Sequence, residues 1–407
     1  MPGLWRQACF ATALAAGWGS AVVSAAEPIK IGVTVAQSLP GSVVQGTLVK
    51  DGLAVAQQIL NDAGGVLDRP IELVVEDTQG VPEKAAAAVE TLITRDHVVA
   101  IVGEHQSSAA LAGIEVAHRH HMPSINTNGW ADAIRDKGYV EVFNPGNYNS
   151  RVGAAAATAF KGLGAKSVVA FAENTDYGIG LAKTIGEQLK ATAPEIRYSY
   201  VTLDRAATDF LPAIAPLRHD LPDVLVNIML PPAAYLMINQ AYEEGIAPTA
   251  RTYFYDAAGI ADYPDFWENV TDAGRGLMVF GLYHPKMTEP PLGKEVAETY
   301  AAKTGKSPNR LLFQAADSLF VLADAMKRAN STDADPVIKA LEATDFAGTR
   351  GTITFSKEPG YKFHQWLDVP YVTYQLTEEN QKIGDATLIE EPGVPFDKAR
   401  VWRSMTY

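Results

Sequence analysis

Two successive series of short apolar runs, each run followed by a helix-like segment, constrain the fold of this chain more than any other feature. The first series opens with the β-branched run 29–35 and the helical pattern 48–60, and it ends with the alanine-rich pattern 109–118. The second series begins at the helical pattern 152–163 and continues to the apolar run 252–255. Apolar runs of this length that alternate with helices are typical of parallel sheets covered on both faces. We therefore predict an α/β protein with two doubly wound parallel-sheet lobes.

Segments that follow the second series predict that the chain crosses between the lobes more than once. The helical patterns 293–303 and 312–329 belong to neither series, and the tail from residue 351 has a strand-like pattern. A chain of 407 residues is also too long for one comfortable core. We assign 27–144 plus 286–352 to the first lobe and 145–285 plus 353–407 to the second, which face each other across a hinged cleft.

The first 26 residues differ in composition from the rest of the chain. Arg6 is their only charge, and 8–23 is dominated by Ala, Gly and Val. Small residues then fit cleavage by a signal peptidase after Ala25 or Ala26, whereas the apolar core is short for a membrane anchor. Cleavage would remove Cys9, the only cysteine, which excludes disulfides, thiolate metal sites and cysteine nucleophiles. We predict a signal peptide at 1–26 and export to the periplasm.

Charge and motifs argue against several classes of function. The formal net charge of −13 disfavours nucleic acids and anionic membrane surfaces as partners. The stretch 162–167 lacks P-loop spacing, and no G-x-S-x-G elbow occurs. Glu115, His118 and His121 share one helix face, but no second element supplies further metal ligands, and histidines also suit a helix C-terminus. We predict no catalytic residue, no cofactor and no metal.

A polar step separates the buried run 98–102 from the helix that follows it. The sequence there reads Gly-Glu-His-Gln-Ser-Ser, and free N–H groups at a helix start attract anions. Helix capping would explain one of the serines but not the whole step. Because no glycine-rich phosphate loop is present, the pattern favours a carboxylate over a phosphate. Ser107 and Ser108 are the predicted anchors, with Gln106 and His105 beside them.

Other candidate residues follow strands at the same edge of the predicted sheets. Ligands of open parallel sheets bind beyond the carboxyl ends of the strands, so these positions are expected to face the cleft. The remaining candidates are Asn128, Gly129, Trp130, Tyr148, Tyr177, Leu230, Tyr255 and Asp256.

Several short segments occur in a specific order across the chain after residue 26. They are 29–33, Asp51-Gly52, 61–65, 76–78, Gly103 with Ser107-Ser108, and 176–178 followed by Gly180. In this order they resemble the type I periplasmic solute-binding proteins of ABC importers, of the leucine/isoleucine/valine-binding class. The resemblance implies a binding protein that closes two lobes around a small carboxylate-bearing solute and docks on a membrane permease. It implies no enzymatic activity, and we expect a monomer.

The resemblance also implies roles for individual residues. Ser107 and Ser108 would hold the carboxylate of the ligand, and Tyr177 would contact the body of the ligand from the second lobe. The family's acidic partner for an ammonium falls near Ala257 here, with Asp256 one residue earlier. Trp130 stands where a hydroxyl is usual.

These departures leave the identity of the ligand open. A branched-chain or other hydrophobic amino acid is one candidate, and Asp256 would then pair with its ammonium if the alignment shifts by one residue. An aromatic acid is the other, since Trp130, Tyr148, Tyr177 and Tyr255 would offer flat apolar faces.

The alternative function is a periplasmic ligand-sensing module that signals to a receptor instead of feeding a permease.

Overall fold

A computed structural model describes residues 26–287 and 290–403. The predicted signal peptide at 1–26 lies outside the described residues, except for Ala26 at its end. Two separate sheets, both built mainly from parallel strands and flanked by helices, form the body of the protein. This arrangement confirms the predicted α/β fold class. No helix in the described part of the chain is both long and apolar enough to cross a membrane.

The first sheet contains five parallel strands in the order β2-β1-β3-β4-β5. The β-branched residues of its strands β1, β3, β4 and β5 are buried, as expected for a sheet covered on both faces, whereas Val74 and Val75 of the edge strand β2 are half-buried. The elements in chain order are β1 (Ile29–Val35), α1 (Val43–Asp62), β2 (Ile71–Asp77), α2 (Pro82–Thr94), β3 (Ala100–Gly103), α3 (Ser107–Arg119), β4 (Ser124–Asn126), α4 (Ala133–Asp136) and β5 (Val142–Phe143).

The second series continues the alternation. Its elements are α5 (Asn149–Leu163), β6 (Ser167–Glu173), α6 (Asp176–Thr192), β7 (Arg197–Leu203), α7 (Leu211–Ile214), β8 (Val224–Ile228), α8 (Ala233–Glu243), β9 (Tyr253–Asp256), α9 (Phe266–Asn269) and β10 (Leu277–Gly281). The segment 209–218 was expected to supply one helix of the alternation that runs from 152 to 255, and this was wrong in its extent. It is replaced by the short α7 and a 3₁₀ turn at Ala215–His219. Pro216 explains the break, because it has no N–H to continue the α-helical ladder.

The last part of the chain contributes to both halves. Its elements are α10 (Pro291–Thr304), α11 (Arg310–Ala329), α12 (Ala334–Glu342), β11 (Asp345–Ala347), β12 (Thr352–Thr354), β13 (Val372–Gln375) and β14 (Thr387–Glu390). Strands β13 and β14 pair antiparallel at one edge of the second sheet, whose order is β14-β13-β10-β9-β8-β6-β7. The sequence predicted a strand-like tail but not its antiparallel pairing.

Helix α11 packs along α1 beside the first sheet. Gly52 makes this close approach feasible, since a Cβ there would lie 2.5 Å from the carbonyl oxygen of Leu312. We call the first sheet with α1–α4 and α10–α12 the first lobe, and the second sheet with α5–α9 the second lobe.

The stretch 356–366 contacts the edge of the first sheet before the chain reaches β13. The N–H of Asn144 donates to the carbonyl of His364 at 2.9 Å, and the His364 ring stacks on Phe143 with centroids 4.1 Å apart. These contacts place this stretch beside the first lobe, although the predicted boundary assigns all residues after 352 to the second.

Candidate functional site

A cavity lies between the two lobes, at the carboxyl ends of strands from both sheets. Its empty space, including the part open to solvent, is about 450 Å³. In the first sheet it lies beyond β1 and β3, where connections leave to opposite faces and ligands of open α/β sheets bind.

Eight of the predicted site residues line this cavity. From the first lobe they are His105, Gln106, Ser107, Ser108, Asn128 and Trp130. Tyr177 and Leu230 approach from the second lobe. The structure therefore brings together residues that are up to 125 positions apart in the chain (105 to 230).

The start of α3 faces the cavity with free donors. The first N–H groups of a helix have no acceptor within the helix, and the side chain of Gln106 at the N-cap does not bind them. The Ser107 hydroxyl oxygen accepts from the N–H of Ala131 at 3.0 Å, and that of Ser108 accepts from the N–H of Asp176 at 3.3 Å. Both hydroxyls accept in these contacts, so their own hydrogens are left to donate.

His105 lies against a buried carboxylate at the same helix start. Glu104 accepts from the N–H of His105 at 2.8 Å and from the hydroxyl of Thr78 at 2.5 Å. The Nδ1 of His105 is 2.9 Å from Glu104 Oε1, but the two are not aligned for a hydrogen bond. The buried Nε2 of His105 also has no partner among the described residues.

Trp130 forms an aromatic contact across the cleft. Its ring meets the edge of Tyr177 with centroids 5.8 Å apart, and its Nε1 donates to Asn128 Oδ1 at 2.8 Å. The loop that carries it is fixed by Arg135, which donates to the carbonyls of Gly129 and Ala131 at 2.9 and 3.0 Å. Burial lowers the pKa of Arg135 to about 10. Arg135 therefore acts on the site through the position of Trp130.

Tyr177 lies in the first turn of α6. Its carbonyl accepts from Asn149 Nδ2 at 3.1 Å, which ties this turn to α5. Its hydroxyl is buried and has no partner among the described residues. Burial, and then the nearby Glu173 carboxylate, raise the pKa of Tyr177. The hydroxyl of Tyr177 is therefore neutral and available to a ligand.

Four predicted site residues do not line the cavity. Gly129 lies behind it, with its N–H and carbonyl both bound to the Asn126 side chain at 3.0 and 2.8 Å. Tyr148 stacks on Tyr361, with ring centroids 6.0 Å apart, and does not line the cavity. Tyr255 points into the second lobe, where its ring meets the edge of Phe160 at 5.2 Å.

Asp256 is the fourth of these residues, and its carboxylate turns towards its own loop. It accepts from Asn227 Nδ2 at 2.9 Å and from the N–H groups of Ala258 and Ile260 at 3.1 and 2.7 Å. Burial, partly offset by these bonds, raises its pKa to about 6. The cavity wall at the end of β9 is Ala258 instead.

Seven lining residues were not among the predicted site residues. They are Gln45, Gly80, Glu173, Thr175, Arg205, Ala258 and Arg310. Glu173 and Thr175 lie at the end of β6, close to the predicted Tyr177, whereas Arg205 and Arg310 carried no local signal.

Arg205 bridges the lobes at the cavity. Its Nη2 donates to the carbonyl of Pro40 at 3.2 Å, and the Gln106 amide oxygen, when it faces Arg205, accepts from both terminal nitrogens at 2.8 and 3.2 Å. Gly80 makes room for this amide, because a Cβ at residue 80 would overlap Gln106 Oε1. The contacts of Arg205, together with Ser108–Asp176, hold the lobes in a closed arrangement.

Arg310, at the start of α11, is buried beside the end of β9. Its terminal nitrogens donate to Asp262 at 2.7 Å, to the carbonyls of Gly259 and Ala258 at 2.9 and 3.1 Å, and to the Tyr263 hydroxyl at 2.6 Å. Its Nε has no partner among the described residues. The guanidinium also lies 5.7 Å from the centre of the Trp130 ring.

The histidines considered as metal ligands are engaged with carboxylates. Nδ1 of His118 and Nδ1 of His121 lie 2.8 and 2.7 Å from the two oxygens of Glu141, and His121 Nε2 is 2.7 Å from Asp335. Glu115 pairs with Lys137 instead. Among residues 26–287 and 290–403, no group of three or more metal-ligating side chains is placed to hold an ion.

Comparisons with known proteins show the family and the fold of this chain. A family model described as periplasmic binding protein matches residues 28–379. An amino acid binding protein of Pseudomonas aeruginosa is 26% identical over 335 residues, which cover 81% of this chain and 85% of that protein. The crystal structure of a leucine binding protein from Thermotoga maritima has a TM-score of 0.78 and 26% identity, over 88% of this chain and 97% of that one. An ABC transporter solute binding protein of R. palustris in complex with benzoate shares the fold, with a TM-score of 0.77 and 20% identity over 92% and 99% of the two chains.

Proposed function

The chain belongs to the periplasmic binding protein family, and from this premise we propose that it binds a small carboxylate-bearing solute for an ABC importer. The family and its structural neighbours are substrate-binding proteins of transporters and not enzymes. In this proposal the protein is exported to the periplasm, binds as a monomer, and delivers the closed, loaded form to a membrane permease. The solute occupies the cavity between the lobes, and its carboxylate contacts the start of α3.

One observation carries the proposal: free donors converge at the start of α3 on an enclosed space. Ser107 and Ser108 each have a hydroxyl hydrogen to donate, and their N–H groups lie at the positive end of a 13-residue helix. The first turn of α3 carries no acidic residue, and Glu104, just before it, accepts from the N–H groups of His105 and Gln106 but not from those of Ser107 and Ser108. The carboxylate of a ligand would satisfy the donors of these two serines.

The apolar part of the ligand would lie against Trp130 and Tyr177, which both line the cavity. These rings belong to opposite lobes, so a ligand that contacts both favours the closed state. Hydrophobic or branched-chain amino acids and aromatic acids both fit this description. Leucine and benzoate, the ligands named for two structural neighbours, also combine a carboxylate with an apolar body.

A thermal-shift panel followed by calorimetry tests the proposed function. Amino acids, amides and aromatic acids are compared at equal concentration, each carboxylate beside its uncharged amide. We expect a carboxylate to raise the melting temperature and its amide to have little effect. The Ser107→Ala/Ser108→Ala double variant should bind the best carboxylate at least about tenfold more weakly, since it loses two hydroxyl donors to a charged group. Full affinity in this variant would refute the assignment of the anion site.

Uptake measurements test the assignment to transport. Deletion of the gene should abolish uptake of the bound solute, and the wild-type chain but not the double serine variant should restore it. If uptake is unaffected although the protein binds the solute, the protein senses the ligand instead of importing it.

A further inference from the structure

The end of β9 faces the cavity without an available acid. Ala258 supplies the wall there with a methyl group. The nearest carboxylate in the sequence, Asp256, is buried and accepts three hydrogen bonds from Asn227 and from N–H groups of its own loop. An ammonium group at this corner would find no carboxylate facing it from β9.

Arg310 already binds the backbone acceptors at the end of β9. Its guanidinium donates to the carbonyl oxygens of Ala258 and Gly259, which would otherwise be acceptors for a ligand, and to Asp262. Among the described residues, Nε is the one guanidinium nitrogen without a partner, and nitrogen–hydrogen groups of arginine only donate. Arg310 lines the cavity, so this corner presents a hydrogen-bond donor whose positive charge is paired with Asp262.

The charges of the lining residues point the same way. Arg205 and Arg310 are the lining arginines, and Glu173 is the one acid among the lining residues. The two carboxylate oxygens of Glu173 already accept, one from the Thr175 hydroxyl at 2.7 Å and the other from the Leu230 N–H at 2.9 Å. The lining side chains thus offer a ligand donors such as Arg310 Nε and the Tyr177 hydroxyl, whereas both oxygens of the one lining acid are already hydrogen-bonded.

We infer that the site selects carboxylates that lack an α-ammonium and carry a hydrogen-bond acceptor beside the carboxylate, as 2-oxo acids do, with Arg310 as the residue that determines this preference. The inference rests on the proposed function, because it takes the carboxylate to be held at the start of α3. Nε of Arg310 then donates to the 2-oxo group. The amino acid with the same side chain would bring its ammonium towards the guanidinium.

Matched ligand pairs test this on the wild-type protein. Isothermal titration calorimetry would compare leucine with 4-methyl-2-oxopentanoate, valine with 3-methyl-2-oxobutanoate, and phenylalanine with phenylpyruvate. Within each pair that binds, the 2-oxo acid should bind at least about tenfold more tightly, roughly the effect of one hydrogen bond to a charged group. Equal or tighter binding of the amino acids would overturn the inference and leave the carboxylate site standing. If no carboxylate binds, the proposed function fails and the inference fails with it.

Two variants assign the preference to a residue. Arg310→Lys keeps a positive charge beside Asp262 but has no Nε donor at this position, so it should weaken binding of the 2-oxo acid about tenfold more than binding of the amino acid. Glu173→Gln is the matched control and should not change the ratio between the members of a pair. If Glu173→Gln instead removes a preference for the amino acid, Glu173 is the ammonium acceptor and the inference is wrong. Melting temperatures without ligand check that both variants fold. If a variant does not fold, the matched ligand pairs measured on the wild-type protein still test the inference.

Discussion

Arg205 offers a quantitative test of how closure contributes to affinity. Its guanidinium reaches from the second lobe to the carbonyl of Pro40 and to the amide of Gln106, both in the first lobe. Replacing it with alanine removes these bonds from the closed form. An open form in which the lobes have separated makes neither bond, so it should not be affected.

The expected magnitude follows from the number and the exposure of these bonds. A hydrogen bond with a charged partner contributes about 1.5–3 kcal/mol when buried, and less when solvent reaches it. Arg205 is half-buried and has two acceptors, so we assign about 1 kcal/mol to each, or about 2 kcal/mol in total. Because apparent affinity scales with the population of the competent state, this loss corresponds to a roughly thirtyfold weaker Kd.

Calorimetry with the carboxylate that stabilises the wild type most would measure this change, and stopped-flow mixing would locate it in the dissociation rate. Arg205→Lys separates closure from charge, because it retains the positive charge at the cavity but cannot bridge both acceptors as a planar fork. It should also bind more weakly than wild type. The control is Arg197→Ala, which removes an exposed arginine of β7 that pairs with Asp220 at 3.4 Å. A Kd for Arg205→Ala within about twofold of the control would refute the closure argument.

Three further changes have outcomes that the structure specifies. Gly103→Ala should lower the free energy of unfolding by about 3 kcal/mol or more in denaturant titrations, since φ is +121° there and a Cβ would lie 2.1 Å from the Thr34 carbonyl oxygen. Tyr177→Phe should leave the ligand-free melting temperature unchanged or raised, because the lost hydroxyl has no partner, yet weaken ligand binding several-fold. His121→Gln should lower the melting temperature at about pH 6 but not at about pH 9, because two carboxylates raise the pKa of His121 above its usual value and this stabilisation disappears as the pH rises through it.

Each of these has a result that would contradict it. Gly138→Ala, at φ +64° in open space, is the control for Gly103→Ala, and equal losses in the two would refute the steric argument. For Tyr177→Phe, a destabilised ligand-free protein would mean that the hydroxyl has a structural role. A His121→Gln effect that is the same at both pH values would show that the ion pairs do not contribute.

The alternation of apolar runs predicted the fold because parallel strands and their covering helices have local signatures. The step from β3 to α3 was predictable for the same reason, since His105 to Ser108 follow a buried strand and begin a helix. Tyr255 and Asp256 were misplaced because the position of a strand end does not tell which way each side chain turns. Successive strand residues face opposite sides, and here one enters the core and the other binds its own loop.

Arg205 and Arg310 could not be found from local patterns. Arg310 obtains its partners from 47 to 52 positions earlier in the chain, across the crossover between the lobes. Nothing in the residues around it distinguishes it from a charge at the exposed start of a helix. Such side chains become recognisable only when the fold shows what surrounds them.

The hydroxyl of Ser108 couples ligand binding to closure of the lobes. It accepts from the first N–H of α6, and its own hydrogen remains for the ligand. A hydroxyl that donates becomes a better acceptor, because each bond in such a chain polarises the next. Capture of the carboxylate should therefore strengthen the bond that Ser108 forms with α6 when the lobes close. Through the Ser108 side chain, a ligand bound to the first lobe would thus stabilise the contact between that lobe and α6 of the second lobe.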